Sequence, residues 1–89
     1  MSTETTTIAV NAAYQYMVKT LVAAGTPVDR LSNFRVEEVS VDDKTKNFKI
    51  TLSYDVASSE FQFDKKREFK DFDVTPDGKN VIAMRIRKI

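Results

Sequence analysis

The sequence predicts an α+β fold: one N-terminal helix packed on a bent, four-stranded antiparallel meander sheet. Three features predict it. Residues 7–24 contain neither Gly nor Pro and carry apolar residues at helical spacing. Residues 48–56 alternate apolar and polar without a break, and Thr75-Pro76-Asp77-Gly78-Lys79 is a turn sequence between two segments of period two. At 89 residues, with 42% hydrophobic residues including six Phe, the chain has room and material for one core. The expected organisation is a flexible, threonine-rich tail over residues 1–6 and a single domain over residues 7–89.

The helix comes first. Val10, Tyr14, Met17, Leu21 and Ala24 follow i, i+4, i+7, i+11, i+14, and Ala13 and Val18 widen that stripe. A threonine from Thr5 to Thr7 can cap its start, because a hydroxyl accepts from the unpaired amides of a first turn. Gly25 supplies a left-handed C′ position and Pro27 prevents resumption. After a connection over residues 26–33 the period changes to two. Phe34 and Val36 share one phase, Val39 and Val41 the opposite one. A β-bulge at Glu37-Glu38 would return both pairs to the core side.

A polar loop at residues 42–47 leads into Phe48, Ile50, Leu52, Tyr54 and Val56, which alternate with Lys49, Thr51, Ser53 and Asp55. This reads as a strand with one buried and one solvated face. Residues 57–67 fit strand or loop equally. In the closing hairpin, a three-residue loop (Pro76 to Gly78) sets Phe72 opposite Ile82. A bulge at Lys70-Asp71 then brings Phe69 opposite Met84 and Arg67 near Ile86, with Glu68 facing Arg85 on the outer surface.

Composition excludes several chemistries. With no Cys there is no disulfide, thiol nucleophile or thiolate metal site. With no His there is no His-based triad, His-ligated zinc or imidazole pH switch. Two Gly cannot build a phosphate-binding glycine loop. No enzyme activity, cofactor or metal is therefore expected. The balance of 14 Lys and Arg against 13 Asp and Glu lacks the basic excess that phosphate contacts usually demand. Residues 1–4 show no basic leader and no segment is long enough to span a bilayer, so the cytoplasm is the expected compartment and no membrane association is expected.

Three clusters remain as candidates. Asp42-Asp43, with Glu37, Glu38 and Asp55, offers carboxylates, but Asp is favoured in such loops for turn geometry alone. Lys66, Arg85 and Arg87 are expected to lie together on the exposed sheet face and, with Arg67 and with Phe61 and Phe63 nearby to stack on bases, to form a candidate interaction surface. Acidic residues interleaved with them favour a solvated ladder of ion pairs instead. Tyr14, Tyr16 and Met17 can line a pocket between helix and sheet, though core packing is the commoner use of the spacing of Tyr14 and Met17, and Tyr16 lies off the main stripe.

The order helix (Ala12 to Ala24), hairpin (Val36 to Val56) and closing hairpin "REFKDFDVTPDGKNVIAMRI" resembles small cystatin-like and PepSY-type domains. The cystatin resemblance implies protease inhibition through an N-terminal Gly and a Gln-x-Val-x-Gly loop. Neither is present: Gln62 is followed by Phe63-Asp64-Lys65. The PepSY resemblance implies peptidase regulation outside the cytoplasm. No residue role transfers. The expected function is a non-catalytic interaction or regulatory module that binds a protein partner or itself through a sheet edge or face. The alternatives are nucleic-acid binding through the basic face and a small-ligand carrier or inhibitor-like domain.

Overall fold

A computed structural model describes residues 3–57 and 65–87. The helix α1 (Thr3–Ala23) leads through a 3-10 turn (Val28–Arg30) into β1 (Leu31–Val41), β2 (Phe48–Ala57), β3 (Lys65–Val74) and β4 (Val81–Arg87). The strands form one antiparallel sheet in the order β1-β2-β3-β4, with the helix packed chiefly on β2, β3 and β4. This is the predicted helix-on-sheet α+β fold. Within the ambiguous stretch, β2 runs through Ala57 and β3 begins at Lys65. Phe61 and Phe63 lie outside the described residues.

The helix begins earlier than its apolar pattern suggests. Residues 3–6, expected as tail, form its first turn, and Thr5 to Thr7 lie inside it rather than at its cap. Its end is as expected. Gly25, at φ 97°, donates to the Val22 carbonyl while the Thr26 amide donates to Leu21, the paired bonds of a Schellman cap. The buried face is rotated from the expected stripe: Ala9, Ala13 and Met17 are fully buried, whereas Tyr14 lies at the flank and Ala24 is exposed. Alanine's lack of bulk explains the rotation. It lets the helix backbone settle close to the sheet, where the larger Tyr14 would hold it away.

Beneath the helix lie Phe48, Ile50, Leu52 and Tyr54 of β2 with Phe72 and Val74 of β3, all buried. Each fully buried aliphatic or aromatic side chain stabilises the fold by about 1.5–3 kcal/mol relative to exposure. β1 brings Val36, Val39 and Val41 to the same face, opposite Leu52, Ile50 and Phe48. Two bulges make this possible. One, at Glu37, is where the change of phase predicts it. The other, at Asn33 and Phe34, straddles the expected end of the connection, because β1 starts at Leu31. Asn33 takes φ 53° there, a left-handed conformation that Asn tolerates better than most residues.

The closing hairpin departs from its expected register. Thr75 and Asn80 close a four-residue loop: the Thr75 amide donates to the Asn80 carbonyl, and the Asn80 amide donates back to the Thr75 hydroxyl. The bulge falls at Ile82 in β4, not at Lys70-Asp71, and Phe72 sits opposite Met84. β3 is regular throughout, so every alternation set by Phe72 carries on toward its start. Phe69 therefore faces away from the helix, opposite Arg87, while Lys70 faces it, opposite Leu52 and Ile86, at 5% exposure. Glu68 also lies on the helix side and accepts from the Tyr54 hydroxyl at 3.2 Å, rather than meeting Arg85. No buried side-chain nitrogen or oxygen among the described residues lacks a partner.

Gly78 joins this hairpin to the helix. It sits at φ 79°, and a Cβ added there would lie 2.9 Å from the Thr5 carbonyl oxygen and 3.0 Å from the Ala9 amide nitrogen. A Cβ at Gly25 would meet nothing within 4 Å. Gly25→Ala is expected to cost about 1 kcal/mol from its left-handed backbone alone. Gly78→Ala is expected to cost about 3 kcal/mol, because the helix backbone cannot yield. Urea denaturation of the two variants measures the difference; equal losses would mean that helix and turn do not pack this closely.

Candidate functional site

The sheet face away from the helix is polar, and one arginine organises half of it. From β3, the Arg67 guanidinium donates to Asp55 Oδ1 (3.1 Å) and Ser53 Oγ (2.7 Å) on β2, and reaches the Asn33 carbonyl oxygen of β1 at 2.7 Å. It also lies 3.9 Å from Glu37 Oε1, which accepts from Ser53 Oγ at 2.8 Å. Asn33 Nδ2 donates to the other Asp55 oxygen at 2.7 Å. Both bulges of β1 are thus tied to one side chain two strands away. The Asn33 and Arg67 bonds hold the Asp55 carboxyl below the usual carboxylate range.

Arg85 and Arg87 are committed to neighbouring carboxylates. Arg85 donates through both terminal nitrogens to the Asp73 carboxylate, at 3.0 and 3.1 Å, and Lys49 joins the same carboxylate at 2.8 Å. These bonds, Arg85 first, hold Asp73 below its usual range. Arg87 donates through Nε to Asp71 at 2.9 Å. The face is the ladder of ion pairs that interleaved charges favour. Arg85 and Arg87 share it as expected; Arg67, expected near Ile86 on the other side, lies on it too, opposite Asp55, and Lys66 does not, being register partner to Val56 on the helix side. Phe69 is the aromatic that this face carries in β3, and it is half-buried. A shallow polar trough of about 150 Å³ lies here, between Glu38 and Ser40 on one side and Arg85 and Arg87 on the other.

The carboxylates at Asp42 serve a turn. Asp42 Oδ1 accepts from the Lys44 and Thr45 amides at 2.8 and 3.0 Å, and those bonds lower its pKa. Among the described residues no group of three or more His, Cys, Asp or Glu is placed to hold a metal ion. Tyr54 is fully buried, and burial followed by the Glu68 charge pushes its pKa well above the ordinary value. It acts there as a hydroxyl donor rather than as a group that titrates near neutrality.

On the helix side the apolar layer is incompletely covered. The helix lies over the middle of the sheet, leaving a groove of about 180 Å³ between it and β1. Val10, Tyr14 and Met17 form one wall, and Phe34, Val36 and Leu52 the other. Tyr14 meets Phe34 edge-on, with ring centroids 5.1 Å apart, and Phe34 lies 6.1 Å from Tyr54. Phe34 is still 37% exposed and Val36 51%. Across the sheet Ile86, next to the β4 edge, is 69% exposed. Among the described residues β1 and β4 are both edge strands, with one flank unpaired.

Tyr14 and Met17 are therefore brought together as expected, but with Phe34 and Val36 of β1. Those partners were legible only as core residues, because the sequence does not show how far one helix covers four strands. Comparison with protein-family models, with curated proteins and with solved structures returns no match.

The two kinds of arginine should respond differently to loss. Arg67→Leu removes several charge-assisted bonds and leaves Asp55 and Glu37 without their countercharge, so it is expected to cost about 2–3 kcal/mol. Arg87→Leu removes one exposed pair and should cost less than about 1 kcal/mol. Chemical denaturation of both variants decides the matter, and equal effects would deny Arg67 its structural role.

Proposed function

We propose that this domain is a non-catalytic interaction module that receives an extended protein segment along an open sheet edge. The observation that carries the reading is the apolar groove between α1 and β1, beside a strand with one unpaired flank. An edge strand offers a row of backbone donors and acceptors to an incoming strand. Alternate side chains of that strand would enter the groove against Val36 and Tyr14, combining backbone affinity with side-chain selection. The groove's roughly 180 Å³ is smaller than the 300–1,000 Å³ typical of small-molecule pockets, which favours side chains over a free ligand.

The outer face supports the nucleic-acid alternative less well. Arg67, Arg85, Arg87 and Lys49 each lie against an Asp, so the charge offered to a phosphate is largely cancelled. No helix among the described residues is long and apolar enough to cross a membrane.

A photo-crosslinking amino acid placed at Val36 is expected to give a discrete protein adduct in the cells that express the chain. The same probe at Gln15, on the exposed side of the helix, is expected to give none. Equal or absent labelling at the two positions would contradict the reading.

A further inference from the structure

We infer that the segment received by β1 is β4 of a second copy of this chain, added head to tail. The inference rests on the interaction-module reading and names its partner. Each edge offers one stretch free of bulges. In β1 the interruptions at Asn33-Phe34 and Glu37 leave Glu38 to Val41, and in β4 the bulge at Ile82 leaves Ala83 to Arg87. Bulges blunt an edge against pairing, so these two stretches are where an added strand can lie.

The two stretches complement each other on both faces. Toward the helix, β1 presents Val39 and Val41, and β4 presents Met84 and Ile86. On the outer face, β1 presents Glu38 and Ser40, and β4 presents Arg85 and Arg87. Glu38 is exposed and makes no ion pair among the described residues, and Arg87 commits only its Nε, leaving its terminal nitrogens available. Directions also agree. In a four-stranded antiparallel sheet the first and last strands run in opposite senses, so a copy displaced sideways presents β4 antiparallel to β1 with its helix on the same side.

The register that satisfies both faces sets Glu38 opposite the second copy's Arg87, Val39 opposite its Ile86, Ser40 opposite its Arg85 and Val41 opposite its Met84. Self-pairing does less. Joining β4 to its own copy sets each arginine against another arginine or an uncharged residue, with no countercharge. Joining β1 to its own copy so that Arg35 meets Glu38 places the Glu37 bulges within the contact. A head-to-tail contact uses two different surfaces and leaves one of each free at the ends, so it propagates with concentration unless it closes into a ring.

The test is sedimentation velocity of the whole chain over a concentration series, with Glu38→Arg, Arg87→Glu and the double variant, each checked for folding by circular dichroism. The expected result is concentration-dependent association of the wild type, about tenfold weaker in either single variant and recovered in the double variant. An equimolar mixture of the single variants should recover it too. Sensitivity to Glu38→Arg alone would mean β1 pairs with itself, and sensitivity to Arg87→Glu alone would mean β4 does; either overturns the inference. Loss in both without recovery means that the two charges do not meet, which also overturns it. A wild type that stays monomeric while Val36 crosslinks a different protein overturns this inference and leaves the interaction-module reading standing. Absence of both removes both.

Discussion

The Arg67 guanidinium, reaching from β3 over β2 to the Asn33 carbonyl and the Glu37 carboxylate of β1, is the interaction on which the molecule's exposed chemistry depends. A side chain in a strand changes face with every one-residue slip, so β1 can keep Leu31, Val36, Val39 and Val41 all over the core only if its two bulges persist. Bulges leave backbone groups out of the ladder, and those groups need other partners. The Asn33 carbonyl finds one in Arg67, while the side chains of the bulge residues are anchored too, Asn33 to Asp55 and Glu37 to Ser53 and Arg67. The groove wall built from Phe34 and Val36 is thus positioned from the opposite face of the sheet. A residue whose type suggests a phosphate contact is instead spent on holding an edge strand in register.

The helix determines what remains uncovered. Ala9 and Ala13 draw its backbone close to β2 and β3, and Gly78 lets the final turn meet its N-terminal half. Close approach makes a compact centre, but a helix about 10 Å across cannot shield four strands spaced almost 5 Å apart. The margins show the consequence. On the β1 side the uncovered residues are aromatic and branched, and on the β4 side Ile86 stands largely in solvent. The outer face makes the opposite compromise: Thr51 and Ser53 are buried there, with hydrogen bonds to Asp71, Glu37 and Arg67. Its charges are mostly satisfied internally, whereas the edges are not.

Much of this architecture was legible in the residues, and what was not has identifiable causes. The alternation from Phe48 to Val56 and the Gly25 cap depend on short-range rules, and both appear as expected. The change of phase after Val36 located the Glu37 bulge. The Asn33 bulge carried a fainter signal, an Asn within a potential strand, where a left-handed backbone is affordable only to a few residue types. The closing hairpin was misregistered because its turn type was legible but its length was not: Thr75 and Asn80 close the loop through side-chain bonds that spacing alone does not reveal. From that slip followed the unexpected inward placement of Lys70 and outward placement of Phe69. For the candidate site, the basic residues were visible but their partners were not, since pairing Arg85 with Asp73 requires the true register.

A domain whose interior and polar face are satisfied while its two edges are open and opposite in charge is suited to assembly through those edges. Native-state amide exchange tests that account most directly. In dilute protein, β2 and β3 should hold the slowest amides, because they are paired on both sides, while outward-pointing amides from Glu38 to Val41 and from Ala83 to Arg87 exchange rapidly. As concentration rises, protection should grow in those two segments together and leave the others unchanged. Edge amides already as protected as those of β2 in dilute protein, or unchanged while the solution mass increases, would contradict it.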